Sequence, residues 1–230
     1  MLQLAADWTE FLAALAAFFG SHAIPSYGGL RQRLIARLGR RAYFTLYSLL
    51  SLLLLAWLIV AAGRAPFVEL WPFEPWQRHV PLTLVPIAVV LAVVGLCRPN
   101  PLSLSLAPPS AFDPERPGIA GLVRHPVLWA TLLWSLAHLV ANGDLAHVIV
   151  FALFAALSVL GMLALDARKR RKIGVARWQE LARRTSLLPR LRLRAGWRFA
   201  DLGFVLFGLG LAVLLALLHP LFAGVPALPA

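Results

Sequence analysis

Six stretches of this sequence carry no Asp, Glu, Lys or Arg: residues 11 to 30, 42 to 63, 79 to 97, 125 to 143, 145 to 165 and 202 to 230. A helix rising about 1.5 Å per residue needs roughly 20 apolar residues to cross about 30 Å of hydrocarbon, and each stretch is near that length. In lipid every backbone donor and acceptor must be satisfied internally, and runs this long and this uniformly apolar exceed a barrel strand. The sequence therefore predicts an all-α polytopic membrane protein. Its six expected spans are 2–24, 42–63, 79–97, 125–143, 145–165 and 200–220, in a single transmembrane domain over residues 1–230. Composition agrees: 60% of the residues are hydrophobic and 14% charged, against roughly a quarter charged in an average soluble domain.

The first span is read as starting before its charge-free run, with Asp7 and Glu10 at an interface. A cleaved signal peptide carries a basic n-region, whereas the first cation here is Arg31, so this helix is expected to stay in the mature protein. Cys97 is the single cysteine; it is read as a buried, inert thiol and says nothing of an oxidising compartment. No internal repeat is visible, so a transporter built from matched halves is not expected.

The formal net charge is +12, which in a soluble chain would point to nucleic acid or an anionic surface. Its distribution gives a different reason. The loop after the first span holds Arg31, Arg33, Arg37, Arg40 and Arg41, and the loop after the third holds Arg98, Arg116 and Arg124. The loop after the fifth holds twelve Lys or Arg between Arg168 and Arg198, so these three loops carry 20 of the 22 cations. Arg64 and Arg78 lie in the alternate set. The positive-inside rule puts the basic loops in the cytoplasm and both termini in the periplasm or its equivalent. Anionic lipid head groups are then the expected partner of the basic loops, and no nucleic acid is expected. Val175, Trp178, Leu181 and Ala182 share one helical face beside Arg177, Arg183 and Arg184, the pattern of a helix lying in the interface.

Ionisable groups at membrane depth are the first candidates for function. His22 falls at the inner end of the first span and His125 at the inner start of the fourth. His138 lies 13 residues further on, roughly 20 Å along a helix. A neutral imidazole at that depth either ligates haem iron or another metal, or hydrogen-bonds within the bundle. His79, His147 and His219 sit at span ends or beside a turn and read as wet interfacial residues. No zinc pattern, nucleophile elbow, P-loop or dinucleotide fingerprint is present.

Two motif groups stand out in combination. One is His22-Ala23-Ile24-Pro25-Ser26 followed by Leu30-Arg31; the other is Arg124-His125-Pro126 followed by Trp134, His138 and the turn Asn142-Gly143-Asp144. Together with Asp166 and its basic followers, and Trp178 through Thr185-Ser186, they resemble the NnrU family over most of the chain. That family is associated with nitrite and nitric oxide reduction in denitrifying bacteria and is similar to the plant 15-cis-zeta-carotene isomerases, which are haem b membrane proteins.

The resemblance implies haem b as cofactor, with His22, His125 and His138 as cofactor-binding candidates and His22 and His138 as ligands of the iron. It also marks Ser26, Arg31, Arg124, Asn142, Asp144 and Asp166 as functional candidates, and a hydrophobic molecule or a small nitrogen oxide as ligand. Whether the chain is itself an enzyme stays open. A carotenoid isomerase-like haem protein is one alternative, although the isomerase pattern has a histidine pair where this chain has Leu157 and Ser158. Arg124-His125-Pro126 before a hairpin and a basic segment also resembles the isoprenylcysteine and phospholipid methyltransferases, which bind S-adenosylmethionine at the membrane face.

Overall fold

The structure is a computed structural model, and it describes residues 2–24, 29–190, 196 and 199–228. Among these the regular structure is helical, apart from one isolated bridge between Glu69 and Asp144. The helices are α1 (Leu2–Ala23), α2 (Leu30–Leu38), α3 (Arg40–Arg64), α4 (His79–Cys97), the single turn α5 (Ile119–Leu122), α6 (Pro126–Ala141), α7 (Leu145–Ile173), α8 (Val175–Ala182) and α9 (Phe199–Ala223). Four are long and apolar enough to cross a membrane: α3, α4 with the 3-10 turn before it, α7 and α9. Helix α6 is apolar but has 16 residues, about 24 Å of helix.

The chain divides into two compact units, Met1–Pro72 with Gly143–Val150, and Phe73–Asn142 with Phe151–Ala230. In the first, Phe11, Ala14 and Phe18 of α1 and Tyr43, Leu58, Ala61 and Ala62 of α3 are buried. Glu10 accepts from Trp57 Nε1 (3.4 Å) and Arg64 (3.5 Å). Helix α2 buries no residue and is bounded by Gly29 and Gly39, both at positive φ. The segment around Gly143 is held by backbone pairing: Leu70 N–H donates to Gly143 O (2.7 Å) and Leu145 N–H to Val68 O (2.9 Å). A Cβ on Gly143 would run into the Trp71 carbonyl.

In the second unit α4 is central. Ala88, Leu91 and Val94 of α4 pack with Ile119, Val123 and Ala130. A Cβ added to Gly95 would sit 2.6 Å from Pro126 Cγ, and one on Gly208 of α9 would sit 3.0 Å from Val90 Cα. Small residues let these backbones approach closely. Elsewhere the long helices keep large leucines exposed, among them Leu52, Leu53, Leu206 and Leu217. Apolar surface of this extent suits a membrane environment.

Three expectations change. Helix α7 continues to Ile173 where the sequence stops its span at 165. The first Lys and Arg end an apolar run, but they are good helix formers, and cations suit the negative end of the helix dipole. Helix α8 does not leave its apolar face to lipid: Trp178, Leu181 and Ala182 are buried with Leu102, with Phe112 and Ile173 packed against them, and only Val175 stays exposed. Cys97 is exposed, since it ends α4 beyond the packed turn Val93–Gly95.

Candidate functional site

Helix α6 begins where it does because Pro126 needs no intrahelical donor at the first turn, and His125 before it has a non-helical backbone (φ −118°, ψ 67°). That geometry turns Arg124 and His125 into the second unit's interior. His125 is 0% exposed, and both its ring nitrogens are engaged. Nε2 lies 3.2 Å from Asp166 Oδ1 and Nδ1 lies 3.0 Å from Ser103 Oγ. A carboxylate only accepts, so Nε2–H donates to Asp166, and in the neutral ring Nδ1 accepts the Ser103 hydroxyl.

Arg124 completes the cluster. Its Nη1 donates to the other Asp166 oxygen and its Nε to Thr185 Oγ1 (2.8 Å). Its backbone N–H donates to Ser186 O (2.5 Å), while its carbonyl accepts from Asn100 Nδ2 (2.8 Å). Asn100 Oδ1 in turn accepts the Leu102 N–H (3.0 Å). The guanidinium lies 4.8 Å from the Trp178 ring centre, with Arg170 at 3.9 Å from the same ring. Lys169 Nζ reaches Pro101 O (2.5 Å), and Trp129 Nε1 donates to Leu187 O (2.8 Å). Four segments distant in sequence are thus tied at one point: the proline-rich loop, the start of α6, the end of α7 and the stretch after α8.

Both nitrogens of His125 are used in this cluster, and Asp166 receives on both oxygens. Such a closed network fixes geometry and leaves no lone pair on His125 for a metal. His125 therefore does not fit as a haem ligand. Arg124 and His125 are both buried.

His138 stands differently. Its Nδ1 lies 2.9 Å from the Trp134 carbonyl one turn back. A carbonyl only accepts, so the proton is on Nδ1 and, in the neutral ring, the lone pair is on Nε2. A second bond on the other ring nitrogen is the usual way a metal-binding histidine is oriented. Thr131 and Ser135 bond carbonyls of α6 in the same manner, at 3.1 and 2.7 Å, the back-bond that hydroxyl side chains make inside a helix. The His138 ring is flanked by Trp134 (5.1 Å) and Phe151 (5.2 Å), and its stacked neighbour is His219 of α9 (6.3 Å). The ring thus sits among aromatic neighbours of α6, α7 and α9.

His22 belongs to the first unit. Its Nδ1 lies 2.7 Å from the Phe18 carbonyl, and its ring is 5.7 Å from Tyr47. Arg31 lies over the Phe44 ring at 5.3 Å. Asp144 holds the start of α7, accepting from His147 N–H (3.2 Å) and from His147 Nδ1 (2.7 Å). Asn142 Nδ2 donates to His138 O (2.7 Å), closing the end of α6. Ser26 lies outside the described residues. Among the described residues no group of three or more His, Cys, Asp or Glu is placed to hold a bare metal ion. Haem iron asks for only one or two protein ligands.

The sequence singles out Arg124, His125 and Asp166 separately and offers no role for Asn100, Ser103 or Thr185. Asn100 does leave a signal, a polar residue between two prolines in a loop whose backbone has to find partners. His219 reads from the sequence as a wet end residue, because its contact with His138 joins helices far apart along the chain.

The family described as NnrU protein matches residues 10–227 of the 230-residue chain. No curated protein and no solved structure matches it. With nearly its whole length covered and an all-helical fold carrying membrane-length apolar helices, the chain belongs to the NnrU family.

Proposed function

We propose that this NnrU-family protein spans the bacterial inner membrane six times, with both termini periplasmic, and binds haem b at His138 in support of nitrite and nitric oxide reduction. The observation that carries the haem reading is the Nδ1–H bond of His138 to the Trp134 carbonyl in an aromatic surround. A carbonyl bonded to Nδ1 is the kind of contact by which metal-binding histidines are commonly oriented. Bound there, haem would supply a redox-active iron able to take a small nitrogen oxide. The chain's own work is to hold the imidazole and to keep the surroundings dry. The buried Arg124–His125–Asp166 cluster contributes by fixing the start of the helix that carries His138.

Six spans follow if α1, with 22 residues, and α6, with 16, cross alongside the four longer helices. Helix α6 is short of about 30 Å, and the remaining depth is made up by His125 and by Asn142-Gly143-Asp144 at its two ends. The basic loops face anionic lipid head groups on the cytoplasmic side.

The test is spectroscopic. Protein expressed with haem supplied and purified in mild detergent shows a Soret band, and His138→Ala removes or shifts it. An unchanged Soret band in His138→Ala overturns the assignment of His138, and a wild-type protein without any Soret band overturns haem binding itself.

A further inference from the structure

We propose that α2 and the start of α3 form a binding site for the phosphate of an anionic phospholipid, seated between Arg31 and Arg40 at the membrane surface; the proposal rests on the membrane-spanning reading above and is independent of haem. Arg31 Cζ lies 5.3 Å and Arg40 Cζ 5.9 Å from the centre of one ring, that of Phe44. Two cations gathered on one ring concentrate like charge. Arg33 and Arg37 add a second like-charged pair, one turn apart on α2, which by itself disfavours the helix. No Asp or Glu occurs between Glu10 and Glu69, and Glu10 accepts from Arg64 and Trp57. None of the ion pairs among the described residues involves Arg31, Arg33, Arg37, Arg40 or Arg41. The other basic loops mix their cations with carboxylates: Arg98 pairs with Asp201, Arg124 with Asp166, Arg177 with Glu180, and Arg183 and Arg184 with Glu115. The charge around α2 has no such counterpart in the chain, so the partner it fits is an anion from outside.

Position makes that anion a lipid. Gly39 alone separates α2 from α3, a helix long and apolar enough to cross a membrane. Its backbone (φ 80°, ψ 154°) breaks the helix axis there, in a conformation open to glycine. Helix α2 therefore starts where a span ends, at head-group depth. It buries no residue. Leu30, Leu34 and Leu38 recur every fourth position along one side, with Leu38 exposed and arginines on both flanks, as in a helix lying in the interface. Past Phe44, α3 leaves Leu46, Leu49, Leu50 and Leu53 exposed. Acyl chains need such a surface, whereas a free anion, a nucleic acid or an acidic peptide does not. A phosphodiester takes the planar fork of arginine on two oxygens, and a ring held close to two guanidinium groups steadies them by cation–π attraction. The lipid contact expected of every basic loop is thus concentrated at one.

The experiment uses the full chain in mild detergent, titrated with short-chain phosphatidylglycerol, with phosphatidylcholine of the same chain length and with inorganic phosphate, and read by native mass spectrometry. Saturable binding of phosphatidylglycerol alone is expected. Arg31→Gln with Arg40→Gln is expected to weaken it about fivefold for each arginine, one cation's worth at an anionic surface. Arg177→Gln with Arg184→Gln removes the same formal charge from cations paired inside the protein, and is expected to leave the affinity unchanged. Equal losses in the two double variants, or phosphatidylcholine binding as tightly as phosphatidylglycerol, overturn the site. Inorganic phosphate or a short RNA that displaces phosphatidylglycerol overturns the lipid as occupant. If the glutamine pair does not survive purification, Arg31→Lys with Arg40→Lys decides: charge stays but the fork is lost, so weaker phosphatidylglycerol binding supports the seat and unchanged binding overturns it. Failure of the spanning reading shows separately, before any lipid is added, as protein released from membranes by an alkaline wash without detergent.

Discussion

At the scale of single residues the Arg124–His125–Asp166 cluster brings buried charge and buried hydrogen bonds to one point. Asp166 is the one acceptor shared by a buried guanidinium and a fully buried imidazole. Removing one partner of a buried pair leaves the other charge uncompensated, at a cost of roughly 3–5 kcal/mol, whereas replacing a pair by apolar groups of similar volume is often near neutral. Asp166→Ala is therefore expected to lower the thermal midpoint in detergent strongly, and the double variant Arg124→Met with Asp166→Leu to recover part of the loss. A double variant no more stable than Asp166→Ala would mean that the cluster does not act as a pair. The charged members are visible in the sequence because ionisable residues beside apolar runs are conspicuous. Ser103 and Thr185 are not. Short hydroxyl side chains in irregular segments carry no periodicity, and Thr185 meets Arg124 across 61 positions of sequence.

Helices place these residues, and at the scale of the element the close approaches are made by glycine. Gly95 seats Pro126 against α4, and with it the turn that carries Arg124 and His125. A methyl group 2.6 Å from the Pro126 ring has to push α6 outward, and overpacking of this kind costs about 1–3 kcal/mol. Gly63, near the end of α3, has open space where a Cβ would stand, with nothing within 4 Å, so alanine there gains about 0.5–1 kcal/mol of helix propensity. Gly95→Ala is thus expected to lower the melting temperature and Gly63→Ala to hold or raise it, measured side by side in one detergent. Equal effects would remove Gly95 from the packing of α4 on α6. Element positions are legible because charge-free runs report the length of chain that lipid accepts. Their ends are less so: α7 crosses into a basic stretch without breaking, and α8 hides its apolar face on Leu102. A hydrophobic face at helical spacing does not say whether lipid or protein will cover it.

For the whole molecule the decisive quantity is the sidedness of charge. Many of the cations from the last turns of α7 onward already have partners within the protein: Arg170 on Trp178, Lys169 on Pro101, Arg177 on Glu180, and Arg183 and Arg184 on Glu115. Internal pairing does not reduce their bearing on topology, because orientation is set during insertion by Lys and Arg near the ends of spans, before the folded contacts exist. With 20 of the 22 cations in the three loops assigned to the cytoplasm, a reporter active only in the periplasm is expected to be silent when inserted at Gly174, the exposed residue between α7 and α8. The same reporter fused after Ala230 is expected to be active. A cytoplasmic reporter at the two positions should give the reverse. If α6 failed to cross, α5 to α8 would lose the alternation that gives six spans, and the Gly174 and Ala230 reporters would still differ, because α9 alone separates them. A third fusion therefore completes the test: at Gly143, between α6 and α7, the periplasmic reporter is active only if α6 spans. Activity at Gly143 and Ala230 with silence at Gly174 is the six-span pattern, and silence at Gly143 would leave the 16-residue helix as a segment that enters the bilayer without crossing it.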